Sequence, residues 1–214
     1  MFEHISVFLI VELLGTVAFA LSGAMVAIRK QLDLLGIVVL GGITAVGGGM
    51  IRDLLIGINP PTLFVKPVYV TAAFVAVLSL FLIIKFGGIT MQMLESEGYE
   101  SIMNLFDAIG LGAFTVVGID TAIEAGFRDY TFLIIFLGVI TGVGGGLLRD
   151  MMADVTPAVL KKHIYACASL AGAVCYVLLL DVVSDGLRLV ISASLVVVIR
   201  LLARKYKWNL PKAM

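Results

Sequence analysis

The chain has 214 residues, of which 61% are apolar and 14% charged, with a mean hydropathy of +1.12 and no net formal charge. That composition excludes a water-soluble single domain, and with no soluble stretch or basic surface it excludes nucleic-acid binding. A disulfide scaffold is excluded as well, because Cys167 and Cys175 fall on one predicted helix at a separation of about 12 Å, too far to bridge.

A spanning helix needs about 20 mainly apolar residues, and seven such windows follow one another at 5–28, 34–58, 67–85, 102–123, 131–153, 164–180 and 187–203. The first is read as a retained span rather than a signal peptide, since Glu3 and His4 stand where Lys or Arg would be needed. It carries Glu12 near its middle, and the second carries Gly47, Gly48 and Gly49 followed by Arg52 and Asp53. The fourth holds Asp107 and, near its outer end, Asp120; the fifth repeats the glycine run as Gly144, Gly145 and Gly146, followed by Arg149 and Asp150. Continuous apolar runs such as Leu195–Ile199 lack the alternation of a β-barrel, so the fold class is an all-α membrane protein. Ten of the fifteen Lys and Arg residues fall on one side, among them Lys161, Lys162 and the tail from Arg200 to Lys212, while Arg128 and Arg188 fall on the other. The positive-inside bias therefore predicts a multi-pass protein of the cell membrane, N-terminus outside and C-terminus cytoplasmic, with the tail as a topological anchor.

The chain also repeats itself. Residues 43–53 and 140–150 agree at eight of eleven positions, Glu12 answers Asp107, and Asn59-Pro60 answers Thr156-Pro157. Three spans per copy is an odd number, so the copies must enter the bilayer from opposite faces. The organisation is a first inverted repeat over 1–91, a second over 92–182, and a seventh span with a basic tail over 183–214. Transporters of this plan place the substrate or ion path at the interface between repeats.

Three consecutive glycines in mid-helix cost about 0.8 to 1.0 kcal/mol each relative to alanine. Both helices are therefore expected to kink or open there, exposing carbonyls to a wet cavity. Close helix packing is the alternative, since Gly138, Gly142 and Gly146 follow a small-xxx-small spacing. Leucine at Gly48 and Gly145 is expected to abolish flux through such a cavity.

Ionisable groups inside a bilayer mark function. Depth along the helices predicts two pairs, Glu12 with Arg52 and Asp107 with Arg149, serving either as clamps between helices or as pathway charges. The neighbours Arg52 and Asp53 project about 100° apart, so a closed pair within the dipeptide is not expected. Asp120 reads as a solvated end residue. His4 and His163 are isolated, so neither a metal site nor a cofactor is expected, and no Walker or nucleophile motif indicates an enzyme.

Gly-Gly-Gly-x-x-Arg-Asp in the second helix of each of two repeats, within a three plus three plus one plan, resembles the prokaryotic relatives of the trimeric intracellular cation (TRIC) channels, also grouped as a glycine-transporter domain family. The resemblance covers essentially the whole chain. It implies a homotrimer in which each subunit holds its own pore, bounded by spans one, two, four and five, and it implies potassium permeation. It carries over Gly47, Gly48, Gly49, Gly144, Gly145 and Gly146 as pore-kink positions, and Arg52, Asp53, Arg149 and Asp150 as the attached charges. The Lys-centred motif of animal members has no counterpart. Two functions stay open: a channel for potassium or another monovalent cation, and a secondary transporter for glycine or a similar small zwitterion.

Overall fold

The computed structural model describes residues 2–161 and 164–208, with side chains from residue 7 onward except that of Lys161. Lys162, His163 and Lys212, and the side chains of Glu3 and His4, lie outside the described residues.

The described chain is helical and contains no strand. In order it forms α1 (Phe2–Arg29), α2 (Leu34–Leu55), α3 (Thr62–Val65), α4 (Pro67–Phe86), α5 (Met91–Leu94), α6 (Glu97–Ala122), a π-helical turn (Ile123–Phe127), α7 (Thr131–Met152), α8 (Ala158–Lys161), α9 (Tyr165–Leu178) and α10 (Asp185–Lys205). Local chemistry sets several of these ends. The Asp33 carboxylate accepts from the Gly36 amide at 2.7 Å to start α2, and the Ser96 hydroxyl accepts from the Tyr99 amide at 3.2 Å to start α6. Pro67 opens α4, where its missing N–H costs nothing. The π turn closes through Gly126, whose φ of 90° suits a residue without Cβ.

Six of these helices are long and apolar enough to cross a membrane. The predicted sixth span is a helix of only 14 residues, α9, about 21 Å long against a hydrocarbon core of about 30 Å. α6, in contrast, begins at Glu97, earlier than the hydropathy window, because Ser96 caps it beyond the apolar stretch.

α1, α2, α7 and α6 form a closed ring in which each packs along two neighbours; α4 leans on α1 and α2, α9 on α7 and α6, and α10 on α6, α9 and α1. α6 is the most enclosed helix and α4 the most open, presenting Phe74, Val75 and Ile83 outward as a lipid-facing helix does. Glycines draw the ring together. A Cβ on Gly23 would crowd Thr44 and the Leu40 carbonyl, and one on Gly118 would crowd Thr141 and the Leu137 carbonyl in the same way. Thr44 and Thr141 turn their hydroxyls back to those carbonyls, at 2.6 and 2.5 Å, so no donor is left bare in an apolar layer.

The triglycine segments depart from expectation. α2 and α7 run as unbroken α-helix through both, because opening the backbone would strand peptide groups that lipid cannot satisfy. The missing side chains instead let the two helices touch. A Cβ on Gly48 would land on the Thr141 carbonyl oxygen, and one on Gly145 would land on the Thr44 carbonyl oxygen. Gly144 would meet the Gly48 Cα at 3.2 Å, Gly47 would meet Leu148 and Gly146 the Tyr165 hydroxyl; only Gly49 faces open space.

Candidate functional site

Two cavity regions lie along α1, one around Glu12, where a small pocket reaching Thr16 and Tyr69 adjoins a wider one, and one around Ser22, about 15 Å apart along the helix. The Glu12 cavity takes in the end of α2, α3, the start of α4 and the far end of α6, with a volume of about 330 Å3 at its mouth. The Asp107 cavity takes in the end of α1, the start of α6, the ends of α7 and α10 and the loop leading into α8, with a volume of about 300 Å3. Between them Phe19 of α1 sits against Phe114 of α6 with ring centroids 5.3 Å apart. A Cβ on Gly110 would strike the Phe19 ring and one on Gly145 would crowd it at 3.2 Å, so this ring packs against the α2–α7 glycine contact in the layer between the two cavities.

Each Arg-Asp dipeptide does the same local job. Asp53 accepts from Arg52 Nε and Nη2 at 2.9 and 2.7 Å through one oxygen, and from the Thr62 amide at 2.7 Å through the other. Asp150 accepts from Arg149 Nε at 2.8 Å and from the Ala158 amide at 2.8 Å. The carboxylate thus pins the chain entering the short helix α3 or α8, and the arginine closes onto it. This corrects the expectation that Arg52 and Asp53 would not pair. Their Cα–Cβ bonds do diverge, but the long arginine chain swings its guanidinium around to a carboxylate already fixed by the loop.

The predicted Asp107–Arg149 pair forms, with Arg149 Nη1 donating to Asp107 Oδ1 at 2.7 Å. The same nitrogen donates to the Ser22 hydroxyl at 2.7 Å, joining α7 to α1. The predicted Glu12–Arg52 pair does not form: the Tyr69 hydroxyl donates to Glu12, and Arg52 is taken by Asp53, although Glu12 and Arg52 line the same cavity. Tyr165 repeats the Tyr69 role by donating to Asp107 at 3.3 Å. Arg52 and Arg149 line different cavities.

Three charges sit elsewhere than the sequence suggested. Asp120 is not a solvated end residue: it is 2% exposed, accepts from the Tyr176 hydroxyl and lies 4.0 Å from Arg188. Arg188, read as an outer-side charge at the start of the seventh span, is buried with its guanidinium over the Tyr176 ring and an ion pair to Asp185 at 2.8 Å. Arg200, read as the start of a surface tail, is 7% exposed and lies over the Tyr165 ring, with Nη2 3.5 Å from Asp107. The predicted seventh span, 187–203, contains both arginines near its ends, but the charge count takes them only as flanking topological charges. The α10 helix in fact carries them inward, one turn set from each end, against the tyrosines of α9 and the aspartates of α6. The tyrosines were missed altogether, yet one signal was available: Tyr69 and Tyr165 each stand at the start of the third helix of their repeat. Among the described residues, no group of three or more His, Cys, Asp or Glu side chains is placed to hold a metal ion.

Ser22→Ala removes a buried neutral partner from Arg149 and is expected to lower stability in detergent by about 1 kcal/mol. Ser192, whose buried hydroxyl finds no partner, provides the contrast: Ser192→Ala is expected to be neutral or stabilising in the same thermal unfolding assay.

A family model described as glycine transporter matches residues 9–85 and again 104–181. The UPF0126 membrane protein YvgT of Bacillus subtilis is 35% identical over 202 residues, covering 94% of each chain. The UPF0126 inner membrane protein YadS of Escherichia coli K12 is 32% identical, covering 93% of this chain and 91% of its own. Among solved structures, a chain from work on conductance through TRIC cation channels is 36% identical with a TM-score of 0.80, covering 96% of both chains. The TRIC trimeric intracellular cation channel orthologue from Rhodobacter sphaeroides is 31% identical with a TM-score of 0.83, covering 95% of this chain and 100% of its own.

Proposed function

The chain belongs to the glycine transporter family, whose solved members resembling it are TRIC cation channels, and we propose that it is itself a cation channel of the membrane, permeable to potassium or other monovalent cations. The observation that carries this reading is the pair of carboxylate-bearing cavities on either side of the layer where α2 meets α7 at Gly48 and Gly145 and Phe19 meets Phe114. Carboxylates bias each cavity toward cations, and a short barrier is what a gate requires. The conformation described is closed. Opening requires α2 and α7 to part at Gly48 and Gly145, which would bare the Thr44 and Thr141 carbonyl oxygens to a dehydrating ion.

The same reading includes seven spans, with α9 as the short sixth, and two inverted repeats over 1–91 and 92–182 followed by α10 and the tail over 183–214. It places one path in each subunit of a homotrimer, in the cell membrane, with the N-terminus outside and the C-terminus cytoplasmic. The equivalent capping of α3 by Asp53 and of α8 by Asp150 supports the repeat. The pathway charges are Glu12, Arg52, Asp53, Asp107, Arg149 and Asp150, and the glycines Gly47 to Gly49 and Gly144 to Gly146 form the constriction.

A second reading has one observation in its favour. Each cavity sets guanidinium and carboxylate groups side by side, Arg52 with Asp53 and Arg149 with Asp107, which complements a zwitterion such as glycine. A paired liposome assay separates the two. The channel reading expects potassium flux down its gradient with no coupled uptake of labelled glycine; saturable glycine uptake driven by a proton or sodium gradient, without potassium flux, would replace it.

A further inference from the structure

The two cavities are not electrically equivalent, although the repeat makes them geometric counterparts. Glu12, Asp53 and Glu124 face Arg52 and Lys66 around the first, leaving one carboxylate in excess. Around the second, Glu100, Asp107 and Asp150 face Arg29, Arg149 and Arg200, and the formal charges cancel. The balance turns on Arg200, which comes from α10, the helix outside the repeat; the other buried arginine of α10, Arg188, pairs with Asp185 and lies near Asp120 without lining the Glu12 cavity.

Arg200 is held unlike Arg149 and much as Arg188 is, over a tyrosine of α9 and at long range from an aspartate of α6. Arg149 donates through Nε and Nη1 to Asp150, Asp107 and Ser22 at 2.7 to 2.8 Å. Arg200 has one long contact to Asp107 at 3.5 Å, a tyrosine ring beneath its guanidinium at 4.5 Å, and a buried Nε with no hydrogen-bond partner. A buried guanidinium with unused donors is expensive, and packing alone would be served by a neutral chain of the same length. Its position gives it an electrostatic role: it lines the Asp107 cavity and also the neighbouring cavity formed with Arg204 and Trp208.

We propose that Arg200 is a selectivity-determining residue, a positive charge from α10 that offsets Asp107 and makes the path less cation-selective, and its current rectifying, at this end. The inference rests on the channel reading. A cation entering from the Glu12 side meets net negative charge, whereas one entering from the Asp107 side does not, so single-channel currents in symmetrical potassium chloride should differ with the sign of the voltage.

The test is single-channel recording of the full-length protein in planar bilayers. Arg200→Gln is expected to raise the potassium-over-chloride permeability ratio about threefold or more and to remove most of the rectification; Arg200→Lys should keep the wild-type values. In the wild type, raising potassium chloride from about 0.1 to 1 M should reduce the rectification through screening, a readout that needs no variant to fold. A conducting wild type whose rectification ignores salt, or an Arg200→Gln channel with unchanged selectivity, would overturn the role of Arg200 while leaving the channel intact. A wild type that passes no cation current would overturn both.

Discussion

Gly145→Ala and Gly48→Ala are each expected to destabilise the protein by about 1 to 3 kcal/mol, read as a lower unfolding temperature in detergent. The sign makes this prediction sharp. Within a helix, glycine to alanine normally gains about 0.8 to 1.0 kcal/mol, so a loss can come only from outside the helix. Here the new methyl group would fall on a carbonyl oxygen of the facing helix, Thr44 for position 145 and Thr141 for position 48, and backbone cannot swing aside as a side chain can. Gly49→Ala is the internal control: it lies in the same triglycine, its nearest neighbour would be the end of Arg52 at 3.7 Å, and it should gain the ordinary helix propensity. Leucine at 48 or 145, expected from sequence to plug a path, is too large for this contact and should disrupt the α2–α7 packing itself. Equal behaviour of all three alanine variants would mean that these helices do not meet at their glycines.

Asp107→Ala should be the most damaging single charge change, costing about 3 to 5 kcal/mol. The carboxylate is 4% exposed and lies between Arg149 at 2.7 Å and Arg200 at 3.5 Å, so its loss leaves buried cations short of a counter-charge. Adding Arg149→Met to Asp107→Ala should recover part of that loss, with a coupling of about 0.5 to 3 kcal/mol in a double-mutant cycle. The comparison is Asp181→Asn, which breaks the exposed Arg128–Asp181 pair and should change stability by no more than about 1 kcal/mol. Strictly additive effects at 107 and 149 would remove this pair from the core of the account.

Much of the architecture was legible in the residues because lipid leaves so few options. Apolar length marked the helices, and the recurrence of Ile-Thr-x-Val-Gly-Gly-Gly ahead of Arg-Asp marked the duplication. The Asp107–Arg149 pair followed from depth alone. What depth could not supply was competition for partners. Glu12 lies level with Arg52, but Tyr69 and Asp53 reach the two groups first, and neither a tyrosine hydroxyl nor a loop-fixed carboxylate announces itself in a hydropathy profile. The glycines were misjudged for a related reason. Their cost to an isolated helix is real, but a second glycine helix lying across the first repays it through contact, and sequence records the cost without the neighbour. Arg188 and Arg200 show the limit of counting charges near span ends only as topological signals, since a long side chain can turn back from a helix end to a buried aspartate.

The central claim is that the Glu12 and Asp107 cavities are the two ends of one cation path. Cysteine placed at Thr62 in the first cavity and at Thr156 in the second, with Cys167 and Cys175 replaced by serine, lets a membrane-impermeant thiol reagent be applied to either face during potassium current recording. The account predicts that the current is blocked at Thr62→Cys from one face only and at Thr156→Cys from the opposite face only. Blockage of both variants from the same face, or full modification of either without loss of current, would contradict it.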